Sequence, residues 1–87
     1  MKIELGKVVA TRGALEQVPG VEIYAAVTRH SFGDWGIVCK EDRLQNDRAA
    51  RNGERVLSAY RSSEGVKFWV ITEWDRSCTT VLLPEEY

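Results

Sequence analysis

Two short polar runs hold the side chains best suited to chemistry. The first is His30-Ser31-Phe32-Gly33-Asp34-Trp35-Gly36, which places the single histidine of the chain just ahead of a carboxylate and a tryptophan. An imidazole that titrates near neutrality, set beside a carboxylate on a rigid loop, is the material of a general base, and the indole adds an aromatic platform. The same run also reads as structure. Asp34 then caps the next helical turn, Trp35 folds back into the core, and His30 closes the end of the preceding helix. One histidine without a nucleophile is no catalytic signature.

The second run is Glu73-Trp74-Asp75-Arg76-Ser77. Two carboxylates near a strand end are the ligand type that hard divalent cations take, and Arg76 would then bind a phosphate, as in metal-dependent nucleases. Such a centre usually adds a well-placed lysine and another acid, and Lys67 lies six residues upstream. In the structural reading Asp75 bonds the backbone of a turn and Arg76 pairs with Asp34, Asp42 or Asp47. His30, Cys39 and Cys78 match no zinc-binding spacing, so no metal-ligand set is assigned. The two cysteines read as free thiols. Ser62, Ser63 and Ser77 lack a nucleophile elbow. Gly33 and Gly36 are not followed by the Lys and Ser or Thr of a phosphate loop, and no cofactor is implied.

The elements that must position these runs follow from pattern. Ile3 to Thr11 is apolar and β-branched around Gly6, which predicts a strand bent at the glycine. Thr11 can cap a short helical turn over Gly13 to Val18, ended by Pro19-Gly20. Val21, Tyr24, Ala25 and Val27 fall at helical spacing and predict a helix to Arg29 with those residues on its apolar side. Cys39 to Asn52 is the clearest helix, with Glu41 and Asp42 in its first turns, Arg48 and Arg51 in its last, and Asn52-Gly53 as a stop. Its charged surface reads as a solvated face laced with i,i+4 pairs, or as a polar interaction face. Strands are predicted over Arg55–Arg61, Val66–Glu73 and Cys78–Leu83, the first two joined by Ser62-Ser63-Glu64-Gly65. Apolar residues on both sides of the second mark it as central. The sum is one α+β domain over residues 1–87, a three- or four-stranded, mostly antiparallel sheet with two or three helices on one face.

Composition narrows the partners. Twelve basic residues stand against thirteen acidic ones, a net charge of −1, with no basic stripe, which argues against a nucleic acid held through its phosphates. Apolar runs fall well short of the roughly 20 residues of a spanning helix, and Met1-Lys2 leads into no apolar signal region, so a cytoplasmic protein without a membrane partner is expected.

Arg29-His30, Gly33-Asp34-Trp35-Gly36, Cys39 with Glu41-Asp42, Arg55 to Tyr60 and Ile71 to Pro84 occur in this order in a known family. Over nearly its whole length the chain resembles small bacterial proteins often labelled only "plasmid-related protein", carried on plasmids and integrative elements. The resemblance implies a bacterial cytoplasm and an accessory role in a mobile element. Trp74 and Cys78 depart from it, standing where similar proteins tend to have a small residue and a valine.

Absent catalytic motifs, the expectation is a non-enzymatic protein-binding or regulatory factor. Its surface would be a polar rim of His30, Asp34, Trp35, Glu73, Asp75 and Arg76. The alternative is a small metal-dependent hydrolase or nuclease using Asp34, Glu73 and Asp75 with His30 as base. A third reading places nucleic acid on Arg43, Arg48 and Arg51.

Overall fold

The computed structural model describes residues 2–87. Strand β1 (Lys7–Ala10) leads into helices α1 (Arg12–Gln17), α2 (Gly20–Ser31) and α3 (Lys40–Asn52), then strands β2 (Val56–Arg61), β3 (Lys67–Thr72) and β4 (Cys78–Leu82). A 3-10 turn, Pro84–Glu86, follows. Local chemistry sets most boundaries. The Thr11 hydroxyl accepts the Ala14 N–H and starts α1. Cys39 lies just outside α3, its Sγ accepting the Asp42 N–H at 3.4 Å, and Gly53 closes that helix at φ +72°. β1 is shorter than the expected Ile3–Thr11 strand because Gly6 turns the chain at φ +63°. A side chain there would collide with the Arg76 and Ser77 carbonyls. Ahead of the turn, the Ile3 N–H donates to the Ser31 carbonyl and the segment packs on the end of α2.

The chain is α+β. Its sheet has the order β1-β4-β3-β2, antiparallel except where β1 runs parallel to β4. Alternation assigns Val56, Ser58, Tyr60, Phe68, Val70, Thr72, Thr79 and Val81 to the inner face, and all are buried. Ala14, Ala26 and Val27 of the first two helices, and Val18 at the end of α1, pack on the Tyr60–Phe68–Val70–Val81 part of that face. Trp35 and Ala49 pack with Ile3 and Val56 in a second cluster, which brings α3 alongside β2. The outer face carries Leu57, Ala59, Trp69, Ile71, Thr80 and Leu82 and no helix. Tyr87, beyond the 3-10 turn, folds back over it and meets the Trp69 ring edge-on at 5.8 Å.

The two sheet edges are treated differently. At β2 the outward N–H and C=O of Leu57 are both taken by the Asn46 side chain of α3. Those of Ala59 are taken by the Trp35 carbonyl and the Ile37 N–H. Gly36 makes this approach possible, because at φ +76° its Cα lies against the Ala59 carbonyl and the Tyr60 ring, where a β-carbon has no room. At β1, Lys7 donates to the Ser77 carbonyl just ahead of β4, and Thr11 to the Val81 carbonyl of β4. Val8 and Ala10 therefore turn their backbone groups outward, and among the described residues no element pairs with them.

Candidate functional site

His30 sits in the last turn of α2 and is fully buried. Its Nδ1 meets Ser58 Oγ, its Nε2 meets Thr72 Oγ1 at 2.8 Å, and Thr72 meets Thr79 Oγ1 at 2.7 Å. Thr79 ends the chain by donating to the Leu5 carbonyl at 2.7 Å. That carbonyl can only accept, and each hydroxyl has one proton, so Thr79 donates to Leu5, Thr72 to Thr79 and His30 Nε2–H to Thr72. Burial first, and the Arg76 cation second, lower the imidazole pKa to about 4. The ring is therefore neutral near pH 7, the Nε2–H tautomer, and its Nδ1 accepts from Ser58. The expected role as a helix-end cap is corrected: both nitrogens join sheet hydroxyls, and the ring packs edge-on to Trp35 at 5.6 Å.

The other loop residues are equally engaged. Trp35 is buried, and its indole N–H donates to Asp47 at 2.9 Å. Asp34 accepts two bonds from Arg29, at 2.8 and 3.3 Å, and a third from the Gly36 N–H. The Arg29 hydrogen bond is the main reason its carboxyl stays below the usual range. No helix starts there, so Asp34 caps a turn and not the helical turn expected. Arg29 stacks in turn on the Tyr60 ring at 4.9 Å, and burial pushes that phenol up to about 12.

In the β3–β4 connection Asp75 accepts from the Ser77 hydroxyl and N–H, which lower its pKa. Glu73 faces Arg55 at 3.8 Å. Arg76 forms an ion pair with none of the acids expected for it. Its guanidinium donates to the carbonyls of Ala49, Glu54 and Glu73 at 2.8–3.2 Å, tying the end of α3 to the β3–β4 turn. Its own backbone is left-handed, at φ +60°. Among the described residues no three His, Cys, Asp or Glu side chains are grouped to hold a metal ion. Both cysteines are free. Of the six residues of the expected rim, His30 and Trp35 are buried in the scaffold, and Asp34, Glu73, Asp75 and Arg76 are each engaged in bonds or ion pairs within it.

The surface open to a partner lies at β1 instead. Beside the unpaired edge runs an apolar groove of about 400 Å³, lined by Leu5, Val8, Ile23, Tyr24 and Val27. Val8 is 47% exposed, while Val21 and Tyr24 are each 75% exposed. Helical spacing had assigned Val21 and Tyr24 to the apolar side of α2. In fact Ala26, Val27 and His30 point inward, and the buried face is rotated toward a residue that hydropathy counts as polar. The signal that would have found it was the small Ala26, which lets the helix lie close on the sheet. No helix among the described residues is long and apolar enough to cross a membrane. No family model, curated protein or solved structure matches the chain.

Proposed function

We propose that the chain is a non-enzymatic protein-binding module, an accessory factor of a bacterial mobile element acting in the cytoplasm, and that it binds by accepting an extended segment of another protein at β1. The observation that carries this reading is the contrast between the edges. The β2 edge has side chains and loop backbone dedicated to closing it, and the β1 edge has Val8 and Ala10 free beside an apolar groove. Strand addition supplies backbone hydrogen bonds for affinity, and alternate side chains seat in an adjoining groove for specificity. An edge left open and apolar otherwise invites aggregation. The engagement of His30, Asp34, Asp75 and Arg76 in the scaffold supports binding over hydrolysis.

Val8→Pro tests the reading. The Val8 N–H points away from β4, so proline removes an outward donor and spares the β1–β4 pairing. Sedimentation equilibrium first establishes whether the chain pairs with itself. Amide exchange at Val8 and Ala10 is then followed in wild type with a candidate partner. Protection of both amides on binding, with affinity lost in Val8→Pro and Tyr24→Asp, is expected. A partner that binds both variants as well as wild type, or a dimer using this edge, would overturn it.

A further inference from the structure

The net charge of −1 conceals a segregation of charge by face. Strand alternation puts Lys7, Arg61 and Lys67 on the outer face of the sheet; Arg55, just ahead of β2, joins them over Tyr87, and Glu73, just past β3, faces Arg55. Arg55 is occupied by Glu73 and by Tyr87, whose hydroxyl it meets at 2.7 Å and whose ring it covers at 5.2 Å. Lys7, Arg61 and Lys67 have no carboxylate partner among the described residues. Arg61 and Lys67 are moreover directly opposed in the β2–β3 register. Like charges directly opposite across a ladder are destabilising, and Arg61 Nη1 donates to the Gly65 carbonyl at 3.3 Å, which tempers the repulsion without supplying a counter-charge. Glu64, in the adjoining turn, forms an ion pair with neither.

Next to the two cations lie aromatic rings. Trp69 stands two residues along β3 from Lys67 and is half-buried, and Tyr87 beyond it is 69% exposed. Arg55 lies over the Tyr87 ring, so together they form a stacked, partly rigid platform and not two mobile side chains. From Lys67 to Glu73 the row runs roughly 20 Å along the strand. Cations at one end and π-faces along the middle suit a ligand that alternates phosphates with planar bases. An acidic peptide would use the cations and leave the rings idle. A duplex would hide its bases, whereas single strands stack them on aromatic side chains in a groove that tracks the backbone.

We propose that the outer face of the sheet binds single-stranded nucleic acid, with phosphates at Arg61 and Lys67 and bases stacked on Trp69 and Tyr87. This face is separate from the β1 groove and stands whether or not that edge takes a partner. The overall charge balance, which argues against nucleic acid, averages over a surface that is not uniform.

The test is fluorescence anisotropy of labelled oligothymidylate and oligouridylate of roughly 12 nucleotides, a length within the usual site range, at low salt. Wild type should bind these and discriminate against duplex of equal length. Arg61→Glu with Lys67→Glu should weaken binding at least roughly tenfold, and Lys67→Ala alone should flatten the salt dependence by about 0.7 in log–log slope. Tyr87→Ala should cost roughly fivefold or more. Glu64→Lys should tighten binding, while Arg43→Glu on α3 should leave it unchanged. Thermal melts confirm that each variant is folded. In a Trp74→Phe background, quenching of Trp69 by the oligonucleotide reads stacking without disturbing the platform. No binding at low salt would overturn the proposal. So would equal binding of duplex, or affinity insensitive to Tyr87 with Trp69 unquenched, which would mark a plain anion patch.

Discussion

His30 is the only histidine in the chain, and its burial makes stability pH-dependent in a window that belongs to it alone. In the unfolded chain its pKa is near 6.5, and in the native network it falls to about 4. Above pH 6.5 both states hold a neutral ring and the group contributes nothing to the pH dependence. As pH falls below 6.5 the unfolded chain takes up a proton that the native state refuses, and stability drops by up to about 1.4 kcal/mol per unit. The loss reaches about 2 kcal/mol by pH 5 and levels off below pH 4 at about 3 kcal/mol. The carboxylates with lowered values, Glu22, Asp34, Asp75 and Glu86, contribute stability that is lost only at and below their own unfolded range near pH 4. Urea unfolding followed by tryptophan fluorescence between pH 7.5 and 5.5 measures the slope. His30→Gln keeps a donor and an acceptor for Thr72 and Ser58 and should be flat across the same window. A wild-type profile flat from pH 7 to 5.5, or the same slope in His30→Gln, would refute the reasoning. So would imidazole nitrogen shifts that place the proton on Nδ1.

Two further substitutions probe the ties that hold this frame. Arg76→Ala removes three charge-assisted bonds to carbonyls and should cost about 2 kcal/mol in denaturant unfolding. Arg76→Gly should cost about 1 kcal/mol less, because glycine releases the left-handed strain at φ +60°. Asn46→Ala unties Leu57 at the β2 edge, which should lower stability by about 1–3 kcal/mol and speed amide exchange at Leu57. Unchanged exchange there would mean that α3 closes the edge without its amide.

The sequence carried the secondary structure well and the site poorly, for physical reasons. Local signals are complete at α3, where the first-turn acids and the Asn52-Gly53 stop bound the helix, and at the Ser62–Gly65 turn. The central position of β3 followed from its two apolar sides. The β1–β4 pairing carries no local signal, since nothing near Lys7 marks Cys78 as its neighbour. The buried network was hidden for a similar reason. Ser58, Thr72 and Thr79 are ordinary strand residues until the sheet aligns them under His30, and only then does a lone histidine acquire two partners. Arg76 was misassigned because its partners are backbone carbonyls, which every residue possesses and no residue type announces. The charge of the outer face is likewise a property of strand alternation, invisible in a chain total.

Joining β1 to β4 also sets an order of assembly. The β2–β3–β4 meander is built from neighbours in sequence and can form early, as can the helices. The contact from Thr79 to Leu5 spans 74 positions, so its loop-closure entropy must be overcome before any of its bonds are gained. The first strand made by the ribosome is therefore the last to find its place. Until β4 has emerged, Lys7–Ala10 has no sheet to join; once it has, and until β1 docks, the chain carries two unsatisfied strand edges, one on β1 and one on β4. A partner segment able to lie along β1 in the finished protein would meet the same backbone pattern on β4 beforehand. Assembly and recognition thus compete for one kind of surface, and the speed of β1 docking decides which is served first.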